Sequence, residues 1–168
     1  MVDESTFESF YQRTKQSLWL YVVRMMKDED LADDVFQDTY IRFLHSNIDH
    51  LNESQMKSYL YRIATNRMRD HWRTLKRERR WFAAETEEPS VQTSVEMDLR
   101  HDLANALQHL ASQERAMVWL AYVEEYSHKE IAEMFKLREK SIKVLLHRAK
   151  RKLLEIFKHK GITSEAAS

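Results

Sequence analysis

The chain has 168 residues, enough for one medium domain or two small ones, and its 27 basic residues are balanced by 27 acidic ones. It contains no cysteine, which excludes disulfides, thiolate metal sites and cysteine nucleophiles and is typical of a protein from a reducing cytosol. The single Gly and single Pro exclude a Gly-rich phosphate loop and disfavour tight β-hairpins, so we predict an all-α protein. There is no apolar run of about 18 residues and no signal-peptide pattern, so we expect a cytoplasmic protein without membrane insertion.

A first amphipathic helix is predicted from Asp3 to Met26. Ser5 and Glu8 have the spacing of a capping box at its start. Large apolar and aromatic residues recur at helical spacing, and we interpret them as plain core. These residues are Phe7, Phe10, Tyr11, Leu18, Tyr21, Val22 and Met25.

A second helix is predicted within Lys27 to His45, around the sequence ADDVFQDTYIRFL (Ala32 to Leu44). Its inward positions are Leu31, Val35, Thr39 and Phe43. Asp28 to Asp30 would complement the positive end of the helix dipole. The helix dipole explains less well the polar residues further along the outward face, which are Asp33, Asp34, Gln37 and Asp38. They form either a solvated face or a docking face for a basic partner helix, and the spacing leaves both interpretations open.

A long third helix is predicted from Ser54 to about Arg80, after the polar loop Asn47 to Glu53. Met56, Tyr59, Leu60, Ile63 and Ala64 form the predicted inward face of its first half. Between Lys57 and Arg80 there are nine basic residues and only two acidic ones. The aromatic residues interleaved with these bases are Tyr59, Tyr61 and Trp72. Bases that hold phosphates, with aromatic rings on which nucleobases stack, are typical of single-strand binding. Tyr59 and Trp72 could equally be core residues.

The middle of the chain changes in composition. Residues 81–98 are polar and acidic with weak periodicity, and we interpret them as a flexible linker. A helix follows, marked by Leu99, Leu103, Leu107 and Leu110, and Ser112 is the predicted cap of the next one. We therefore expect domains at residues 1–80 and 99–160, followed by a frayed tail at residues 161–168.

The stretch from Tyr126 to Leu153 has the pattern of a helix-turn-helix. Ser127 and Glu130 form a predicted capping box, and Lys136 stands at a turn position where Gly is frequent. The second helix buries one face, made of Ile142, Leu146, Ala149 and Leu153. Its opposite face is strongly basic and suits the DNA major groove. That face comprises Lys140, Ser141, Lys143, Val144, His147, Arg148, Lys150 and Arg151.

The order of these parts resembles a bacterial RNA polymerase sigma factor of the extracytoplasmic-function (ECF) group. The matching stretches are ADDVFQDTYIRFL, YLYRIATNRMRDHWR and YSHKEIAEMFKLREKSIKVLLHRAKRKL, and with their flanking helices they cover nearly the whole chain. The resemblance implies two helical domains, sigma region 2 and sigma region 4, joined by the linker. The sequence also departs from the family pattern: the turn positions that are often Gly are Lys136 and Lys140, and a frequent Ser-Arg pair in the recognition helix is Val144-Leu145.

The resemblance implies a role for each polar face. The first stretch resembles region 2.2, which docks on the clamp helices of the polymerase, and its implied binding residues are Asp33, Asp34, Gln37 and Asp38. The second resembles regions 2.3 and 2.4, which open and read the promoter −10 element, and its implied residues are Asn52, Arg62, Asn66, Arg69, Asp70 and Arg73. The loop from Asp49 to Lys57 corresponds to a base-capturing loop. The third resembles region 4.2, which reads the −35 element, and its implied residues are Lys140, Ser141, Lys143, Val144, His147, Arg148 and Arg151.

The resemblance also implies partners: core RNA polymerase through its clamp helices and flap, promoter DNA, and an anti-sigma factor. We expect no cofactor or metal and no catalytic residues. In the free protein the two domains could pack together and hide their basic faces. One alternative is a helix-turn-helix regulator with an N-terminal effector or dimerisation domain, which would leave the acidic Gln37 stretch and the basic-aromatic helix unexplained. A metal enzyme using some of the eight histidines is disfavoured, because no His-Glu-x-x-His or similar ligand spacing occurs.

Overall fold

The computed structural model describes residues 3–81 and 105–159, and every regular element in those ranges is a helix. The helices are α1 (Glu4–Met26), α2 (Glu29–Leu44), α3 (Glu53–Trp81), α4 (Ser112–Tyr122), α5 (His128–Phe135) and α6 (Glu139–His159). Residues 105–108 add a short helical segment before α4. The all-α prediction is therefore confirmed for this part of the chain. The predicted linker beyond Trp81, the helix start at Leu99 and Leu103, and the tail lie outside the described residues.

Helices α1, α2 and α3 form the N-terminal half around an aromatic core. The Phe10 and Phe43 rings stack with their centroids 5.0 Å apart, and both side chains are buried. Two hydroxyl pairs join the helices inside this core, Thr14 to Tyr40 at 2.7 Å and Tyr21 to Thr65 at 2.9 Å. Most of the predicted inward residues are buried, whereas four are only half-buried: Phe7, Tyr11, Leu31 and Tyr59.

Two predicted helix caps, Ser5 and Ser112, differ from the structure, and α3 begins one residue before its predicted start at Ser54. The cap of α1 is Asp3, whose carboxylate accepts from the backbone N–H of Ser5, so the predicted Ser5 capping box is wrong. An acid two residues earlier satisfies the free N–H groups first. The start of α3 is held by a reciprocal pair, in which Asn52 and Gln55 each accept from the other's backbone N–H at 2.9 and 3.0 Å. Ser112 is the first residue of α4 and not its cap.

Helices α4, α5 and α6 form the C-terminal half, in which the helix-turn-helix prediction is confirmed. The capping box of Ser127 and Glu130 is present in both directions. The turn between α5 and α6 places Lys136 in the left-handed region, with φ 55° and ψ 41°. This conformation favours glycine because a Cβ atom crowds the following carbonyl. The four predicted inward residues of α6 are buried: Ile142, Leu146, Ala149 and Leu153.

The two halves pack against each other, and the side chain of Arg115 joins them. Arg115 is 3% exposed and donates to the carbonyls of Leu107 and Leu110 at 2.9 Å each, and to that of Met25, at the end of α1, at 3.3 Å. Burial lowers the pKa of Arg115 to about 10. The guanidinium thus donates to carbonyl groups near the ends of two helical segments, where the last carbonyls lack the usual donor four residues later.

Candidate polymerase and nucleic-acid interfaces

The outer face of α2 carries the predicted polymerase-binding residues, and they differ in their partners. Asp33 and Asp34 are exposed, and Gln37 donates to the Asp33 carboxylate at 3.1 Å. Asp38 is half-buried and accepts from Arg42 at 2.9 Å. The face therefore presents one carboxylate and one amide–carboxylate pair to solvent.

Asp38 also connects α2 to α3. Its Oδ2 atom lies 2.6 Å from Nε of Arg67. Another nitrogen of the same guanidinium, Nη1, lies 3.7 Å from the carboxylate of Asp70. Asp70 lies 3.8 Å from Arg73 one turn later. This chain of charges links α2 to α3, so Asp38 has a structural role in addition to any docking role.

The predicted −10 residues follow one another along α3 and differ in exposure. Arg62, Asp70 and Arg73 are exposed, whereas Asn66 and Arg69 are half-buried. Burial, followed by the nearby charge of Arg73, lowers the pKa of Arg69. The predicted loop residue Asn52 is exposed and caps the helix that carries the other five.

The three aromatic residues interleaved with these bases are mostly packed. Tyr61 is fully buried. Tyr59 is half-buried, and its hydroxyl lies 3.0 Å from that of Ser46. Trp72 is half-buried against the core. Because Tyr61 is buried, it cannot stack on an unpaired base in this conformation, and the expectation that its ring is available to a base is corrected. Tyr59 and Trp72 remain partly exposed.

The C-terminal half covers part of this α3 face. The Tyr61 hydroxyl donates to Oε1 of Glu124 at 2.9 Å, and Lys57 Nζ lies 3.6 Å from Oε2 of the same carboxylate. Desolvation raises the pKa of Tyr61, and the neighbouring Glu124 adds to the effect. The Arg69 guanidinium lies over the Phe135 ring, 5.6 Å from its centroid. Two residues with predicted functions on α3, Tyr61 and Arg69, are thus in contact with the other half.

The predicted −35 face of α6 is open. Lys140, Lys143, His147, Arg148 and Arg151 are exposed, Val144 is 49% exposed, and Ser141 is half-buried. They stand opposite the buried face of the same helix, which packs on α4 and α5. The arrangement places a row of cations and one imidazole where a major groove could accept them.

The sequence pattern does not single out Glu124 or Arg115. Glu124 is one of two adjacent glutamates after α4, and nothing in the pattern separates it from Glu125, which is exposed. Arg115 lies among charged residues at the start of α4 and has the pattern of a solvated side chain. Only their packing against the other half distinguishes these two residues.

These features define a class: a helical protein with an acidic face on one helix, a basic-aromatic helix and a helix-turn-helix. Residues 10–78 match the family described as Sigma-70 region 2, and residues 100–153 match Sigma-70, region 4. The two matches cover most of the chain, in the order that the sequence predicts. The chain belongs to the sigma-70 family, in its ECF group, and acts in promoter recognition as an RNA polymerase sigma factor.

Two relatives align with this chain over 90% or more of their own length. The ECF RNA polymerase sigma factor SigM of Bacillus subtilis is 25% identical over 169 residues, covering 95% of this chain and 99% of that protein. The RNA polymerase sigma factor CarQ of Myxococcus xanthus is 28% identical over 159 residues, covering 91% of this chain and 90% of that protein. A helix-turn-helix regulator with an unrelated N-terminal domain is not favoured, because the N-terminal half matches sigma region 2 as well.

Solved structures share the fold. The sigma factor RpoE of Bartonella quintana, solved with the anti-sigma factor NepR, superimposes with a TM-score of 0.71 at 21% identity, covering 91% of this chain and 97% of that one. CnrH, solved in complex with the cytosolic domain of CnrY, gives a TM-score of 0.65 at 22% identity, covering 94% and 90%. None of the helices in the described part of this chain is long and apolar enough to cross a membrane.

Proposed function

We propose that the chain is a dissociable, cytoplasmic, non-enzymatic specificity subunit that docks on core polymerase through α2, captures the −10 strand through α3 and reads the −35 element through α6. The observation that carries this assignment is the pair of polar faces, acidic on α2 and basic on α6, each exposed opposite a buried face of the same helix. The proposed domains are residues 1–80 and 99–160, with the linker at 81–98 and the tail at 161–168.

Docking on the polymerase clamp helices is assigned to Asp33, Asp34, Gln37 and Asp38. Complementary charge at such a surface speeds association and fixes orientation. Asp34 and Gln37 are the residues to test, because Asp38 also holds Arg42 and Arg67. The flap is the proposed partner of the C-terminal half.

The docking test uses the double variant Asp34→Ala/Gln37→Ala with purified core polymerase. We expect slower association and affinity lower by roughly 1 kcal/mol, with an unchanged unfolding temperature. Glu29→Ala, an exposed acid on the first turn of the same helix, is the matched control and should bind as the parent chain does. Equal affinity for the double variant and the parent would remove α2 as the docking face.

Promoter opening is assigned to the N-terminal half, at Asn52, Arg62, Asn66, Arg69, Asp70 and Arg73. A subunit that hydrolyses no nucleotide melts DNA by binding the single strand better than the duplex. Unpairing a base costs a few kcal/mol, and each base stacked on an aromatic ring returns about 1–3 kcal/mol. The exposed bases of α3 would hold the backbone while the segment from Asp49 to Lys57 captures a base. The second half of that segment, predicted as a loop, is the first turn of α3.

A fluorescent base analogue in the −10 element tests the opening step within the holoenzyme. Run-off transcription with core polymerase first maps the start sites and so supplies the promoter. Substitutions in the loop from Asp49 to Lys57 should reduce the unstacking signal while leaving duplex binding intact. An unchanged signal with unchanged duplex binding would exclude capture by this loop.

Recognition of the −35 element is assigned to Lys140, Ser141, Lys143, Val144, His147, Arg148 and Arg151. Their exposure on one face of α6 supports this assignment. We further propose that an anti-sigma factor regulates the chain, since the fold neighbours RpoE and CnrH are seen with the anti-sigma factor NepR and with CnrY, respectively.

A further inference from the structure

The surface that the C-terminal half turns towards α3 has an unusual composition for a DNA-binding domain. It presents the carboxylate of Glu124 and the rings of Tyr126 and Phe135, all three of which contact α3 residues. Single-stranded DNA offers the same two features to a protein that binds it: negative charge on its phosphates and flat rings in its bases. We define the masking surface as Glu124, Tyr126, Glu130, Glu133 and Phe135.

Each part of the masking surface meets a matching group on α3. The Glu124 carboxylate lies 3.6 Å from Lys57 Nζ, where a phosphate would meet a cation. The Tyr126 ring packs on the ring of Tyr61 with centroids 5.5 Å apart, where a base would stack. The Phe135 ring lies under the Arg69 guanidinium at 5.6 Å.

A cleft beside these contacts extends the same pairing. Its α3 side is lined by Ser54, Gln55, Ser58, Tyr59 and Arg62, at the start of the helix that carries the proposed −10 residues. Its other side is lined by Glu130, Glu133 and Met134 of α5. A strand entering the capture loop would therefore approach two carboxylates of the same chain, and their charge would repel its phosphates.

We infer that the masking surface is an intramolecular substitute for the −10 single strand, so that the free subunit closes over its own strand-binding face and opens it only when the two halves separate. This inference rests on the proposed −10 function of α3 and adds a mode of regulation to it. The −35 face takes no part in the closure, because the α6 cations are exposed in the closed conformation.

The contact is built to be reversible. The Tyr126 hydroxyl and Arg69 Nε are buried without a hydrogen-bond partner among the described residues. Unpaired buried polar atoms oppose the closed conformation, since water would satisfy them on opening. Lys57 keeps 41% of its side chain exposed, whereas Glu124 keeps 8%. Glu124 is therefore the group that closure buries, and the group whose replacement should release α3.

The test compares Glu124→Lys with Glu125→Lys in the full chain. Both variants change the net charge equally, and Glu125 is exposed, so the second controls for general attraction of DNA. The substitutions Glu8→Cys on α1 and Lys158→Cys on α6 carry a donor and an acceptor dye, since the chain has no native cysteine. Circular dichroism and thermal unfolding establish that each variant folds, and Glu124→Gln, which keeps an acceptor for Tyr61, provides a graded second variant.

The measured quantities are energy transfer between the dyes and affinity for a fluorescent oligo-dT strand. We expect high transfer in the parent chain and in Glu125→Lys, lower transfer in Glu124→Lys, and oligo-dT affinity about tenfold higher in Glu124→Lys than in Glu125→Lys. The reason is that apparent affinity scales with the fraction of competent molecules. Glu124→Gln should lie between the parent and Glu124→Lys in both measurements.

Two results would overturn the inference in distinguishable ways. Low transfer in the parent chain means that the halves are already separate, and it leaves the proposed −10 function intact. Lower transfer in Glu124→Lys with no gain in oligo-dT affinity over Glu125→Lys means that α3 does not bind the single strand. In that case the proposed −10 function fails together with the inference.

Discussion

The basic faces of α3 and α6 have similar compositions but different surroundings. On α6 the charged residues are exposed and the apolar residues opposite them are buried, so the face points to solvent. On α3 the charged residues share the helix with packed aromatic rings, and the C-terminal half contacts Tyr61 and Arg69. The comparison teaches that a basic helical face in the sequence predicts where DNA could bind, but not whether the face is accessible.

The two basic faces also differ in how the packing of the halves affects them. Composition alone allows both faces to be hidden when the halves pack together. In the structure the halves do pack together, but of the two basic faces only that of α3 lies at the contact. The cations of the α6 face stay exposed. A free subunit of this shape would still meet duplex DNA through α6 while its strand-binding helix is occupied.

The largest expected effect is the loss of stability on replacing Arg115, whose side chain joins the two halves. Arg115→Met removes the side-chain donors to the buried carbonyls of Leu107, Leu110 and Met25, of which only that of Leu107 keeps a described backbone donor, the N–H of Leu110. We expect the free energy of unfolding to fall by about 2–4 kcal/mol, because unsatisfied buried carbonyls carry their full desolvation cost. Urea unfolding followed by circular dichroism measures the loss.

A matched control for this variant is Arg13→Met. Arg13 contacts Glu53 at 2.8 Å, but both side chains are more than half exposed. Exposed ion pairs contribute about 0–1 kcal/mol, so this variant should unfold nearly as the parent does. Equal losses in the two variants would mean that Arg115 does not tie the halves together.

The proposed −35 face of α6 can be divided into residues that contact base edges and residues that bind phosphate. Arg148→Ala should remove about 1–3 kcal/mol of discrimination between −35 sequences if Arg148 contacts base edges. Arg151→Ala should weaken binding to all sequences alike and lower the salt dependence by about one counterion, because a phosphate contact carries no sequence information. Binding to a set of −35 variants at several salt concentrations separates the two residues. A changed −35 preference in Arg151→Ala would contradict the division.

The smallest expected effect concerns the turn that delivers α6. Lys136 has φ 55°, where a side chain is disfavoured, so Lys136→Gly should raise the free energy of unfolding by about 0.5–1 kcal/mol. Lys143 is exposed in the interior of α6, and Lys143→Gly should lower the free energy of unfolding by about 1 kcal/mol. Thermal unfolding of the two variants gives opposite shifts. A destabilised Lys136→Gly would mean that the lysine side chain contributes more to the turn than its conformation costs.

Local pattern determined much of this protein without tertiary information. The capping box of Ser127 and Glu130 and the buried face from Ile142 to Leu153 follow from spacing alone, because a helix brings residues three and four apart onto one face. The order of the acidic, basic-aromatic and helix-turn-helix stretches along the chain is sufficient to indicate the family. Caps were predicted less well, since Asp3 and Ser5 both suit a helix start and only geometry selects between them.

The tertiary structure decided which polar residues are available to a partner. Asp38 resembles its neighbours on α2, yet its carboxylate holds Arg67 of α3. Tyr61 has the pattern of a stacking residue, yet it is buried against Tyr126 and bonded to Glu124, 63 positions along the chain. Helical periodicity depends on neighbours within a few residues and can be read from the sequence. A contact between distant helices depends on how whole faces pack, and no local pattern encodes it.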